Sequence, residues 1–389
     1  MPQPNPDELE AAFQRLVAAH PLPLSSSTHS GETIYDVLKT LPEASAYHQL
    51  LERYPRLVAL LADVSDGEVT LFLPVNAAWE GAATAAAGLS GVDAEADADA
   101  GAGAEEALLA MHVSPHFLDQ AYLRSMTNVP TIHAPGTINR PQVFPLRLGE
   151  AGWTLAGGGR FLAGEGIRAR NGLIYRIDRV ITPPGALLEV LRLRGTHTTL
   201  LHAVEVAGFA AELASRPGGT LFAPSDRALA SLGPEALRFL TESAEGRKYL
   251  NALLRGHFCP VHTHYTNLVW PQNDGAERRT SAEEDRVYKG SMRRELPSAL
   301  CVGEQAVSLE VSITRYMCLI AVAVNGTPVV EQDIGGEDGV AQGIDEVLLP
   351  GGVVGKGSED LISHPVKASP KNCTAAETAT PTANAADSA

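Results

Sequence analysis

A chain of 389 residues, 44% of them hydrophobic, has room for about two or three domains at roughly 150 residues each. Its formal net charge of −16 has the wrong sign for sequence-independent binding to nucleic acid or to an anionic membrane surface, so neither is expected as a partner. Aromatic residues make up only 5% of the chain, which leaves Leu, Val and Ile to build the cores.

The polar, proline-rich Met1–Pro6 leads into DELEAAFQRLVAA (Asp7–Ala19), which predicts a short amphipathic helix and lacks the basic-then-apolar pattern of a secretory leader. No run approaches the roughly 20 apolar residues of a membrane span, and the best candidate, Tyr316–Val324, has a strand's length. The expectation is a soluble intracellular protein with residues 1–32 as an extension. Thr33–Leu41, Ala44–Leu51 and Leu57–Ala62 space their apolar residues by three and four, predicting packed helices. The Asp66-Gly67 turn precedes a strand at Val69–Leu73. Residues 82–104 are a low-complexity Ala/Gly/Asp loop on which no structure is imposed, and Asp93, Glu95, Asp97 and Asp99 place part of the negative charge there. Glu105–Met111 predicts a helix running into His112. Between Val129 and Ile167, short β-prone runs broken by Pro130, Pro135, Pro141 and several glycines predict antiparallel strands joined by turns. An alternating strand, Leu173–Ile181, closes the first domain ahead of Pro183-Pro184-Gly185.

The second half repeats the first. TLFLPVNAAW (Thr70–Trp79) returns as TLFAPSDRAL (Thr220–Leu229), each an apolar run ending at a proline with Asn76 or Asp226 placed to cap a helix. LLAMH (Leu108–His112) returns as LLRGH (Leu253–His257), and NGLIYRIDRVITPP (Asn171–Pro184) as DGVAQGIDEVLLP (Asp338–Pro350). Three blocks in one order define a duplicated domain. The second copy carries a basic insertion at residues 262–297 with Arg278, Arg279, Arg286, Lys289, Arg293 and Arg294, read either as a solvated loop or as a docking surface or lid. Strands are predicted at Ala306–Ile313, Leu319–Val324 and Thr327–Val330, and residues 353–389 read as a disordered tail.

Taken together, the TLFAPSDRAL, LLxxH and closing blocks resemble the fasciclin-like domain family in its tandem form, over residues 33–184 and 186–352. The resemblance implies an α+β fold in which each domain is a wedge of about seven mostly antiparallel strands with surrounding helices. The family's central pair is usually Tyr-His, whereas here it is Met111-His112 and Gly256-His257. Family members are usually secreted, which gives an extracellular alternative, and Asp333-Ile334 resembles an Asp-Ile pair linked with integrin binding in animal relatives. Some fasciclin-like proteins of filamentous fungi are accessory factors for oxidases in aromatic polyketide pigment assembly. The implied partners are therefore another protein, such as an oxidase, or a hydrophobic small molecule.

The candidate ligand-binding residues are His112, His257, His262, His264, Tyr265 and Trp270. His112 and His257 end a helix where a strand begins, so each is either a titrating site residue or a buried ring satisfied by backbone groups. Cys259, His262 and His264 form a weak metal candidate, because strand alternation turns Cys259 away from the two histidines. Asp178 and Asp345 read as structural carboxylates. The four cysteines are taken as free thiols, with one disulfide among Cys259, Cys301 and Cys318 left open. No nucleophile elbow, phosphate loop or dinucleotide fingerprint is present, so no cofactor is expected and no reaction is assigned. The functional expectation is a tandem binding or accessory protein. The alternative is an enzyme or auxiliary factor that steers a hydrophobic metabolite's reaction, and adhesion comes last. An apolar cavity of a few hundred Å3 beside His257, lined by the second domain, separates the first two.

Overall fold

Both copies of the repeated decamer form a wholly buried strand that ends at its proline and hands over to a helix. The computed structural model describes residues 3–22, 25–28, 31–65, 67–80, 98–138, 140–162, 166–216, 218–260, 263–266, 289–302 and 305–349. The cap in the second copy is not Asp226 but Ser225, whose hydroxyl accepts the Ala228 N–H at 3.2 Å. Asp226 instead reaches across to the helix Thr198–Val206, accepting the Thr199 N–H at 2.6 Å and the Thr198 hydroxyl at 2.9 Å. Asn76 makes the matching cross-link in the first copy, accepting the Ala46 N–H and donating to the Pro42 carbonyl and the Ser45 hydroxyl.

The first domain's strands are β1 (Ser25–Thr28), β2 (Val69–Pro74), β3 (Val113–Ser114), β4 (Asn128–Pro130), β5 (Val143–Pro145), β6 (Arg147–Gly149), β7 (Gly152–Thr154), β8 (Gly166–Ala169) and β9 (Gly172–Ile177). Those of the second are β10 (Gly219–Pro224), β11 (Phe258–Cys259), β12 (Lys289–Val302), β13 (Gln305–Tyr316), β14 (Leu319–Val324), β15 (Thr327–Gly335) and β16 (Gly339–Ile344). In the second domain they form one 7-stranded, mostly antiparallel sheet ordered β11-β10-β16-β15-β14-β13-β12, as the resemblance implies. The first domain has a 5-stranded sheet, β1-β8-β9-β2-β3, and two separate ladders, β4–β5 and β6–β7. Pro130, Pro141 and Pro145, which cannot donate to a ladder, fall where its strands stop short.

In each domain the opening and closing strands pair in parallel, β2 with β9 and β10 with β16. This pairing explains the Gly after Asn171 and after Asp338. A Cβ at Gly172 would lie 1.9 Å from the Val69 carbonyl oxygen, and one at Gly339 would lie 2.8 Å from that of Gly219.

Two further expectations change, both in segments read as loops. The end of the low-complexity stretch is helical, in Ala98–Ala110, which fits alanine's high helix propensity. The end of the basic insertion is not loop but the start of the long strand β12, paired to β13 from Lys289 onward. The helix predicted at Asp7–Ala19 spans Pro6–Ala19, capped by Asn5 with Glu8 in a capping box, and does more than extend the chain. Its Phe13 and Leu16 share one buried cluster with Phe72, Trp153 and Tyr175 of the first domain and Tyr316 and Cys318 of the second. Cys259 and Cys318 are free and buried, while Cys301, expected to be free, is disulfide-bonded. Cys373 lies outside the described residues. Among the described residues, no helix is long and apolar enough to cross a membrane.

Candidate functional site

His112 and His257 occupy equivalent places, and each ring is held by backbone on both sides. His112 Nδ1 donates to the Leu108 carbonyl at 2.8 Å and Nε2 accepts the Ile181 N–H at 2.9 Å. His257 repeats this with the Leu253 carbonyl at 2.8 Å and the Leu348 N–H at 2.9 Å. These partners require the neutral tautomer with the proton on Nδ1. Burial holds both rings in it by lowering their pKa from 6.5 to about 4. The rings therefore clip the end of a helix to the segment that follows the closing strand, and neither nitrogen is open to a ligand.

The cavity lies beside the second of these clips. It has a volume of about 420 Å3 and is lined entirely by the second domain. Leu300 of β12, Val307 and Leu309 of β13, and Leu348 and Leu349 after β16 give it apolar walls. Gly256, the last residue of the helix Gly246–Gly256, completes the wall, and Leu348 is the residue whose N–H His257 holds. A Cβ at Gly256 would stand 3.6 Å from Leu300 Cδ2, an ordinary contact, so a side chain there would enter the cavity. The first copy shows what such a side chain does. Met111, at the equivalent place, is buried in the core, and the Thr131 hydroxyl lies 3.8 Å from its sulfur. The polar groups of the cavity are Glu295, Ser308, Glu310 and Asn325. Sequence reasoning noted the glycine before His257 as a departure from the family pair but found none of these four, which only strand register brings together.

The other candidates do not gather here. Tyr265 is buried at 3% exposure, and its hydroxyl has no hydrogen-bond partner among the described residues. His264 is tied through its main chain, its N–H donating to the Thr220 hydroxyl at 2.8 Å and its carbonyl accepting from Gln342 Nε2 at 2.9 Å. His262 and Trp270 lie outside the described residues, as do Arg278, Arg279 and Arg286. Cys259 is packed among Phe222, Leu296 and Ile344, and burial pushes its thiol up to about 12, far from the thiolate a metal requires. Among the described residues, no group of three or more His, Cys, Asp or Glu could hold a metal ion. Asp178 accepts the Arg160 N–H and Asp345 accepts the Ser225 hydroxyl, both at 2.7 Å.

Asp333 is engaged elsewhere. Its side chain is fully buried at the junction of the two domains, accepting from Asn128 Nδ2 at 2.8 Å, the Thr266 N–H at 2.8 Å, the Thr266 hydroxyl at 2.5 Å and Gln342 Nε2 at 2.8 Å, with Arg147 Nη2 at 3.3 Å. That carboxylate faces no receptor, so its likeness to an integrin-binding pair finds no support in the fold.

A parallel pair of opening and closing strands and a histidine clip, both built twice and both flanked by antiparallel strands, define a tandem α+β module. The chain belongs to the fasciclin family, whose Fasciclin domain model matches residues 42–183 and 195–350. Aurofusarin biosynthesis cluster protein S of Gibberella zeae is 28% identical over 192 residues, which is 47% of this chain and 46% of that protein. The alignment thus spans less than half of either. A FAS1 domain pair from the insect cell adhesion molecule Fasciclin I covers 79% of this chain, and 97% of its own length is covered, at 18% identity and a TM-score of 0.35.

Proposed function

We propose that this protein is a tandem fasciclin accessory protein that holds a hydrophobic small molecule in the second domain's cavity. The observation that carries the reading is the cavity of about 420 Å3 beside the His257 clip, walled in part by Gly256, which has no side chain where the first copy has the buried Met111. That volume falls within the usual range for small-molecule sites, roughly 300–1,000 Å3. The name of the Gibberella zeae relative supports a place in biosynthesis, with this chain presenting or withdrawing a hydrophobic intermediate for a separate enzyme such as an oxidase.

The test is a titration of the full chain with the neutral fluorophore Nile red, alongside Gly256→Met. The cavity reading expects saturable binding to one site that is lost in the variant. The variant's melting temperature should hold or rise, since Gly inside a helix is about 0.5–1 kcal/mol worse than a residue with a side chain. Binding that survives the substitution places the ligand elsewhere, and no binding to either protein removes the reading.

A further inference from the structure

Among the described residues, the charged groups that line the cavity are both acidic. Glu295 and Glu310 both line it, and they are direct partners across the β12–β13 ladder. Like charges placed opposite each other on one sheet face destabilise it, so this pairing has an energetic cost that the fold retains. Its other polar groups, Ser308 and Asn325, are neutral, and among the described residues no Lys, Arg or His lines it. Glu310 pairs with Arg293 at 3.7 Å, whose side chain is 76% exposed and is not part of the wall.

The main chain of Glu310 is also fixed in place. Its N–H donates to Asn325 Oδ1 at 2.8 Å, and its carbonyl accepts the Asn325 N–H at 2.7 Å. Asn325 takes up a left-handed backbone conformation, φ 48°, at the β14–β15 turn that makes this clasp. The clasp holds the main chain of Glu310, while its carboxylate is half-exposed, at 52%, among the residues that line the cavity.

From this arrangement we infer the class of ligand: a hydrophobic molecule that bears hydrogen-bond donors, hydroxyl or amine, and carries no negative charge. The inference rests on the cavity reading above. Donor groups on the ligand satisfy the carboxylates and relieve their repulsion, whereas a carboxylate or sulfate would place a third negative charge beside them. Selectivity then comes from repulsion of the wrong ligand as much as from attraction of the right one.

The experiment compares three probes on one skeleton by calorimetry with the full chain at pH 7: 4-hydroxybiphenyl, 4-biphenylmethylammonium and 4-biphenylcarboxylate. The hydroxyl and ammonium probes are expected to bind at least about 10-fold more tightly than the carboxylate. In Glu295→Gln/Glu310→Gln, which keeps the shape and removes the charge, the gap should shrink to about 3-fold or less. A carboxylate probe that binds the unmodified protein as well as the hydroxyl probe does overturns the inference, as does discrimination that survives in the Gln variant. If none of the three binds while Nile red does, the inference also falls and the cavity reading stands. If Nile red fails as well, both fall.

Discussion

His112 and His257 tie the stability of each domain to pH, and the direction follows from their burial. An unfolded chain takes up a proton at each position as pH falls below about 6.5, whereas the folded chain resists until about 4. Their contribution is thus complete above pH 6.5 and is lost on acidification through the window from 6.5 to 4. Between pH 7 and pH 5 each ring should remove on the order of 2 kcal/mol from the unfolding free energy. His116, His133 and His197, all lowered by burial, add to the slope in the same direction. Urea denaturation at the two pH values checks this, and an unchanged midpoint refutes it. His257→Ala should cost about 2–4 kcal/mol at pH 7, because the Leu253 carbonyl and Leu348 N–H lose the ring between them, and it should make the pH slope shallower. The rings' place at a helix-to-strand junction was legible in the sequence. Glu295, Glu310 and Asn325 were not, because nothing in a one-dimensional pattern says which turn or strand faces which.

At the level of elements, the closing strands are where sequence and structure agree most closely, since a parallel pairing this tight demands the same residues in both copies. Asn171 accepts the Ile34 N–H and donates to the Leu61 and Asp63 carbonyls, and Asp338 accepts the Leu187 N–H, so each anchors a helix to the start of its strand. Gly172 then admits the Val69 carbonyl where any Cβ would collide, at a φ of 155°. Gly172→Ala should destabilise the first domain by more than about 3 kcal/mol, as read from its melting temperature. Gly136→Ala also adopts positive φ but meets nothing within 4 Å, so it should cost only about 1–2 kcal/mol. Equal effects would show that backbone conformation, not the close approach, sets the cost. The strand β12 was hidden in the sequence for a related reason. As an edge strand with Arg293, Arg294 and Glu295 exposed and Pro297 at an irregularity in the ladder, it shows little apolar alternation, and its pairing with β13 alone makes it a strand.

Across the whole molecule, a repeat announces two modules but not how they meet, because the residues that join them are the ones that differ between the copies. Here the joint has two parts. The helix Pro6–Ala19 lies over both domains, with Phe13 edge-on to Tyr316 at 5.4 Å and Asp7 and Glu10 bonded to Lys289. Beneath it, the buried Asp333 gathers Asn128 and Arg147 of one domain with Thr266 and Gln342 of the other. A positive φ of 57° at Asp333 is tolerated because so many donors fix the carboxylate. A polar joint of this kind makes the domains unfold together, since opening it strands a charge and several donors in an apolar setting. Calorimetry of the intact chain should show one transition. In Asp333→Ala, which leaves Arg147, Asn128 and Gln342 facing an empty site, the coupling should weaken by about 3–5 kcal/mol and the transition should split in two. Phe13→Ala removes only apolar contact from the joint and should lower the transition temperature without dividing it. Two transitions in the unmodified protein, or a single one in Asp333→Ala, would show that the fasciclin pair is two independent bodies on one chain.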